Sequence, residues 1–246
     1  IEDTCSTCHM PIARYQAHQN GNMGKVFDNL QGISADTHLA MDGVSCTVCH
    51  QISNENFGEE SSFDGGFIVD NTSALSRTGS NSRKIFGPFE IDAGKQRIMQ
   101  SAARFSPEQG THIQKSELCA TCHTLYTQAL DANGNAAGVL PEQMPYQEWL
   151  LSDFRNSNSC QSCHMPVLDE LSPITSVLGD SRESFSQHTF VGGNAFMLGI
   201  LAENREALGI IATKEELESS VRLTKNYLGS QTARIAIENT ASRTSV

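Results

Sequence analysis

Apolar positions recur with the 3.6-residue period of a helix over residues 92–104, 141–155, 194–207 and 213–228, and each stretch is predicted as a helix. The last opens on Thr213-Lys214-Glu215-Glu216, a capping box in which hydroxyl and carboxylate satisfy each other's backbone amides. Residues 51–90 read differently, being rich in Gly, Ser and Asn with a short apolar run, Phe67-Ile68-Val69, after Gly65-Gly66; loops and a β-hairpin are expected there. Near the end Thr232-Ala233-Arg234-Ile235-Ala236-Ile237-Glu238 alternates as a strand does. The pattern predicts a mainly α chain with long loops and a small β-hairpin. No apolar run approaches the roughly 18 residues of a membrane helix, so no transmembrane segment is expected.

Composition makes this pattern harder to fold. Only 38% of the 246 residues are hydrophobic and there is one Trp, a thin supply for a core. The 28 acidic residues outnumber the 17 basic ones, giving a net charge of -11, and no basic run is available to neutralise phosphates. Nucleic acid is therefore excluded as an expected partner. Asn71-Thr72-Ser73 fits a glycosylation sequon, a pattern that carries no meaning where the modifying machinery is lacking.

All eight cysteines fall in one repeated pattern: Cys5-Ser6-Thr7-Cys8-His9, Cys46-Thr47-Val48-Cys49-His50, Cys119-Ala120-Thr121-Cys122-His123 and Cys160-Gln161-Ser162-Cys163-His164. A His after the second Cys has a chance frequency of roughly 3%, so four such coincidences amount to about one in a million for a pattern that reads as c-type haem attachment. Two four-thiolate zinc sites or four disulfides would use the same cysteines, but neither needs the histidine. Haem attachment does: two thiols one helical turn apart add across the vinyl groups, and the adjacent imidazole becomes the proximal iron ligand. Four haem c groups are expected, held by Cys5, Cys8, Cys46, Cys49, Cys119, Cys122, Cys160 and Cys163, with His9, His50, His123 and His164 proximal. Four large apolar macrocycles, at about sixty residues each, would also supply the core that the composition lacks.

Four histidines remain, His18, His38, His112 and His188, as many as the haems. Each is read as a distal ligand of a saturated, low-spin iron. Met10 and Met165 directly follow a proximal His on the same face of its haem and are read as packing; Met23, Met41 and Met144 stand as alternative ligands. His18 follows His9 by only nine residues, and a helix over that span carries it about 13 Å along its axis, so it is not expected on the iron of His9.

Cys5 to Cys46 spans 41 residues, as does Cys119 to Cys160, against 73 between Cys46 and Cys119. The chain is therefore divided into a tetrahaem domain over 1–190, with haem pairs in 1–50 and 110–190, and a haem-free helical tail over 191–246 that ends in the strand.

The stretches Asp42-Gly43-Val44-Ser45-Cys46-Thr47-Val48-Cys49-His50, Ile85-Phe86-Gly87-Pro88-Phe89, Cys119-Ala120-Thr121-Cys122-His123-Thr124-Leu125-Tyr126, Glu142-Gln143-Met144-Pro145-Tyr146-Gln147-Glu148-Trp149, Cys160-Gln161-Ser162-Cys163-His164-Met165-Pro166 and His188-Thr189-Phe190-Val191-Gly192-Gly193-Asn194 resemble the multihaem c-type cytochromes related to hydroxylamine oxidoreductase and to extracellular tetrahaem cytochrome filament subunits. The resemblance covers residues 1 to about 200 and implies a haem-packed multihaem cytochrome c fold, stacked haems and bis-His ligation by His18, His38, His112 and His188. Catalytic relatives carry more haems and keep one iron open or crosslinked to a Tyr; this chain shows four motifs and four spare histidines. The terminal strand resembles the opening of the β-rich domain of larger relatives, as in a truncated chain.

The expected function is electron transfer, without catalysis, between redox partner proteins or other copies of the chain, including a filament in which a distal His is donated in trans. The alternative is the haem module of a multihaem oxidoreductase acting on a small nitrogen or sulfur compound. Because c-type haems are attached outside the cytoplasm, an extracellular or periplasmic location is expected, with Ile1 following a removed signal peptide. The acidic surface should favour oxidised irons and lower their potentials.

Overall fold

A break at Met10 shapes the N-terminus. In a computed structural model of the chain, which describes residues 1–32, 36–69, 83–173, 175 and 179–231, α1 (Glu2–His9) stops where Met10 adopts φ -140 and ψ 53. Pro11 clashes with a helical conformation at the residue before it, yet suits the first position of a new helix, and α2 (Pro11–Gln19) starts there. The antiparallel return is closed by Asp3, whose carboxylate accepts from Arg14 Nη2 at 3.0 Å and from the Gly24 amide at 2.6 Å. Two short helices follow, α3 (Phe27–Leu30) and α4 (Thr37–Met41), and Met10, Ala13 and Ala40 form a small core between them.

After α5 (Cys46–Cys49) the chain enters the loop-rich stretch where a hairpin was expected, and among its described residues an antiparallel bridge joins Ile52 and Val69. Strand β1 (Arg83–Gly87) instead pairs parallel with β2 (Phe105–Gln109), because α6 (Ala93–Ala103) intervenes and reverses the chain before β2 begins. The Asp92 side chain caps α6, accepting from Gly94 and Lys95 amides at 2.8 and 3.0 Å. A hairpin lies further on, between β3 (Leu125–Leu130) and β4 (Ala136–Gln143), beyond α7 (Ser116–Ala120). Asp131 builds its turn by accepting from the Asn133 and Asn135 amides, each at 2.8 Å. The stretch 141–155, predicted as one helix, gives the end of β4, then α8 (Pro145–Leu150) and a 3-10 turn at Asp153–Asn156.

Helix α9 (Cys160–His164) precedes a short ladder of β5 (Ser172–Pro173) with β6 (Ser181–Arg182), and then α10 (Ala195–Glu203) and α11 (Lys214–Gln231). The capping box at Thr213 forms as predicted: the Thr213 amide donates to Glu216 Oε2 at 2.8 Å and the Glu216 amide to Thr213 Oγ1 at 3.2 Å. Helix outweighs strand, and among the described residues the β structure consists of three two-stranded sheets rather than one hairpin. The terminal strand and the sequon lie outside the described residues. Among those described, no helix is long and apolar enough to cross a membrane.

The chain divides into two units, Ile1–Gln161 and Ser162–Val246. The division falls inside the fourth motif, and His164 lies in the same unit as Val191, to which it is bonded. Among the described residues, five of the eleven buried apolar side chains are alanines, Ala13, Ala17, Ala40, Ala120 and Ala202. Large apolar groups such as Phe27, Phe154, Phe190, Phe196 and Leu151 are exposed.

Candidate haem-attachment site

Each motif sits on a single helical turn. Cys5, Cys8 and His9 occupy the end of α1, Cys46 and Cys49 span α5 with His50 as its cap, and Cys160, Cys163 and His164 lie in α9. In the third motif Cys119 belongs to α7, and the turn is continued by hydrogen bonds from the Cys122 and His123 amides to the Cys119 carbonyl at 3.2 and 2.9 Å. The two-residue gap places both thiols of a motif on neighbouring positions of one helical face. None of the eight is in a disulfide.

Motifs distant in sequence meet in space. The Cys8 and Cys122 thiols share a hydrogen bond, which lowers Cys8 and, together with burial, pushes Cys122 up. Cys119 and Cys160 share another, which with burial pushes Cys119 up. Cys49 is raised by burial and by its neighbour Cys122. The third motif is thus flanked by thiols of the other three, and motif one lies against motif three although the sequence intervals group it with motif two. The loop around Gly65 makes that contact. Its amide donates to the Thr121 carbonyl at 2.7 Å, and the Asp64 amide donates to Thr124 O at 3.0 Å. At φ +78, with Thr7 and the Cys8 sulfur where a side chain would stand, only glycine fits at position 65. Motif three is tied onward to the start of α9, since the Cys160 amide donates to Ser116 Oγ at 3.0 Å and Gln161 Nε2 to Lys115 O at 2.7 Å.

Two proximal candidates are held by an identical device. His50 Nδ1 donates to the Phe86 carbonyl at 2.6 Å, while the Phe86 amide returns a bond to the His50 carbonyl at 2.6 Å. His164 Nδ1 donates to Val191 O at 2.6 Å, and the Val191 amide bonds to His164 O at 3.0 Å. A neutral imidazole with its proton on Nδ1 presents the Nε2 lone pair, and a backbone acceptor on Nδ1 is the usual way a ligating histidine is oriented. His9 and His123 are exposed at the ends of their turns.

The distal candidates are placed differently. His112 is buried, with Nε2 against the Ile52 carbonyl at 2.9 Å and its ring against Phe86 at 4.7 Å. His18 is exposed, with Nε2 2.6 Å from Asp3 Oδ1. It therefore sits at the first turn of α1, about 9 Å of helix from His9. His38 is exposed on α4, and His188 is exposed with its ring edge-on to Phe190 at 5.9 Å. Met10 is buried in the small core and Met23 is exposed.

Among the described residues no three His, Cys, Asp or Glu side chains converge as a metal cluster. A c-type haem asks for something else: two thiols on one turn, an adjacent imidazole oriented through Nδ1, and apolar surface to lie on. The residues present fit that requirement, with the thiols and His50 and His164 meeting the first two conditions and the exposed large apolar groups the third. The sequence did not point to the Phe86 and Val191 carbonyls, since any residue carries one, nor to Tyr227 of α11, whose ring lies 6.3 Å from that of His164. Burial, and then the Cys163 thiol, push the Tyr227 hydroxyl up.

Compared with family models, curated proteins and solved structures, the chain finds no match in any of the three.

Proposed function

We propose that the chain is a tetrahaem c-type cytochrome that carries electrons outside the cytoplasm. The observation that carries this reading is the set of eight cysteines, none in a disulfide, on four helical turns, each turn followed directly by an imidazole, with the thiols of separate motifs in contact. Macrocycles tethered at touching thiols lie close enough for electrons to pass between them. The haem iron supplies the one-electron couple. A reduced partner protein gives up one electron, an oxidised partner or another copy of the chain receives it, and the carrier returns to its starting state. The protein's part is to hold the thiols in register, orient His50 and His164 through Phe86 and Val191, and exclude water with the apolar groups its own core leaves outside.

A second reading is favoured by His112 and His18, whose Nε2 atoms face the Ile52 carbonyl and Asp3. If those nitrogens stay so engaged, two irons lack these distal ligands and can bind a small molecule, as in an oxidoreductase module. Pyridine haemochrome absorbance against total protein tests the first statement: four haems per chain are expected, and none would overturn it. Carbon monoxide added to the reduced protein separates the two readings. An unchanged Soret band is expected of the carrier, and a strong adduct would establish the enzyme module.

A further inference from the structure

We infer that Tyr227 positions the axial imidazole of the fourth motif, so that the C-terminal helix α11, which bears no cysteine or histidine, forms a wall of that site. The inference rests on the haem reading above and adds a residue to it. His164 is fixed on one side by the reciprocal pair with Val191, which holds both its main chain and its Nδ1. That pair leaves rotation of the ring about its side-chain bonds limited by whatever packs beside it. Tyr227 is the aromatic ring recorded there, at 6.3 Å between centroids and tilted by 42°. Its helix is built to hold it, with the capping box fixing its first turn and Thr224, one turn before Tyr227, buried. The plane of an axial imidazole and the polarity beside it tune an iron's potential, which gives this packing a measurable consequence.

The test uses the full-length holoprotein, with Tyr227→Leu to remove the ring at similar volume and Tyr227→Phe to remove only the hydroxyl. Haem content is measured first. Four haems per chain in the wild type establish the cofactor reading, and zero would overturn that reading independently of Tyr227. Spectroelectrochemical titration and low-temperature electron paramagnetic resonance are then expected to show one of four haem signals shifted in Tyr227→Leu, the other three unchanged, and a smaller shift of the same signal in Tyr227→Phe. Four signals identical to wild type in the leucine variant would overturn the inference. If that variant does not accumulate, an unmoved set of four signals in Tyr227→Phe overturns it instead.

Discussion

The surroundings of His50 and of His164 solve one problem with different materials. Both histidines donate Nδ1 to a backbone carbonyl and receive an amide from the same residue. At His50 the partner is Phe86, held in a parallel strand pair whose other strand, β2, leads to the buried His112. At His164 it is Val191, brought back by an irregular antiparallel run in which the Leu168 amide bonds to Phe185 O and the Gln187 amide to Pro166 O. The wall behind the first clamp is an aromatic cluster of half-buried Phe57 and Phe86 with buried His112, and the wall beside the second is a tyrosine on a half-exposed helix. A clamp made from main-chain atoms sets no demand on side-chain identity, so it can recur without any shared sequence. Stability should differ between the two, because the first has the buried ring of His112 behind it and the second the half-buried ring of Tyr227.

The largest effect that would break this contrast is expected at His112. His112→Ala removes a buried ring and leaves the Ile52 carbonyl without its donor, a loss of about 2–4 kcal/mol in chemical denaturation. The same variant sharpens the site: an unchanged count of low-spin irons in electron paramagnetic resonance marks His112 as a supporting residue of the first clamp, and one new high-spin iron marks it as a ligand.

Val191→Ala is expected to cost less, about 1–2 kcal/mol, since it trims a buried valine but keeps the carbonyl and amide that hold His164. The signal of the fourth haem should persist at its wild-type position. A shift as large as that of Tyr227→Leu would show that the side chain, and not the backbone, sets the clamp.

The smallest effect is expected at the foot of α11. Its backbone and hydroxyl bonds from Thr213 hold the Glu216 carboxyl below the ordinary value of 4.5. A lowered value in the folded state means that this contribution is fully present above 4.5 and fades as pH falls through the lowered value. Protection factors in the first turn of α11, taken against the intrinsic exchange rate at each pH, should fall on acidification and with Thr213→Ala at neutral pH, while amides around Phe86 keep theirs. An equal loss of protection in both regions would remove the distinction between the two walls.

The sequence by itself determined the chemistry-bearing positions. Four Cys-x-x-Cys-His repeats name their own thiols and imidazoles, and the structure puts each repeat on one helical turn. It also determined the starts and stops that rest on local bonds: the break at Met10 and Pro11, the cap of α11 at Thr213, and helix α6, whose bounds Ala93–Ala103 fall within the predicted 92–104. Only the tertiary structure decided which motifs are neighbours. Equal intervals of 41 residues suggested pairs along the chain, whereas the glycine loop at residue 65 sets motif one against motif three. It likewise set a hairpin at residues 125–143 and made residues 83–87 a parallel strand, since strand partners are chosen by what folds between them. The orientation of each histidine came last, because a carbonyl acceptor such as that of Phe86 or Val191 is present at every residue and acquires meaning only when distant backbone is brought within 2.6 Å of an imidazole nitrogen.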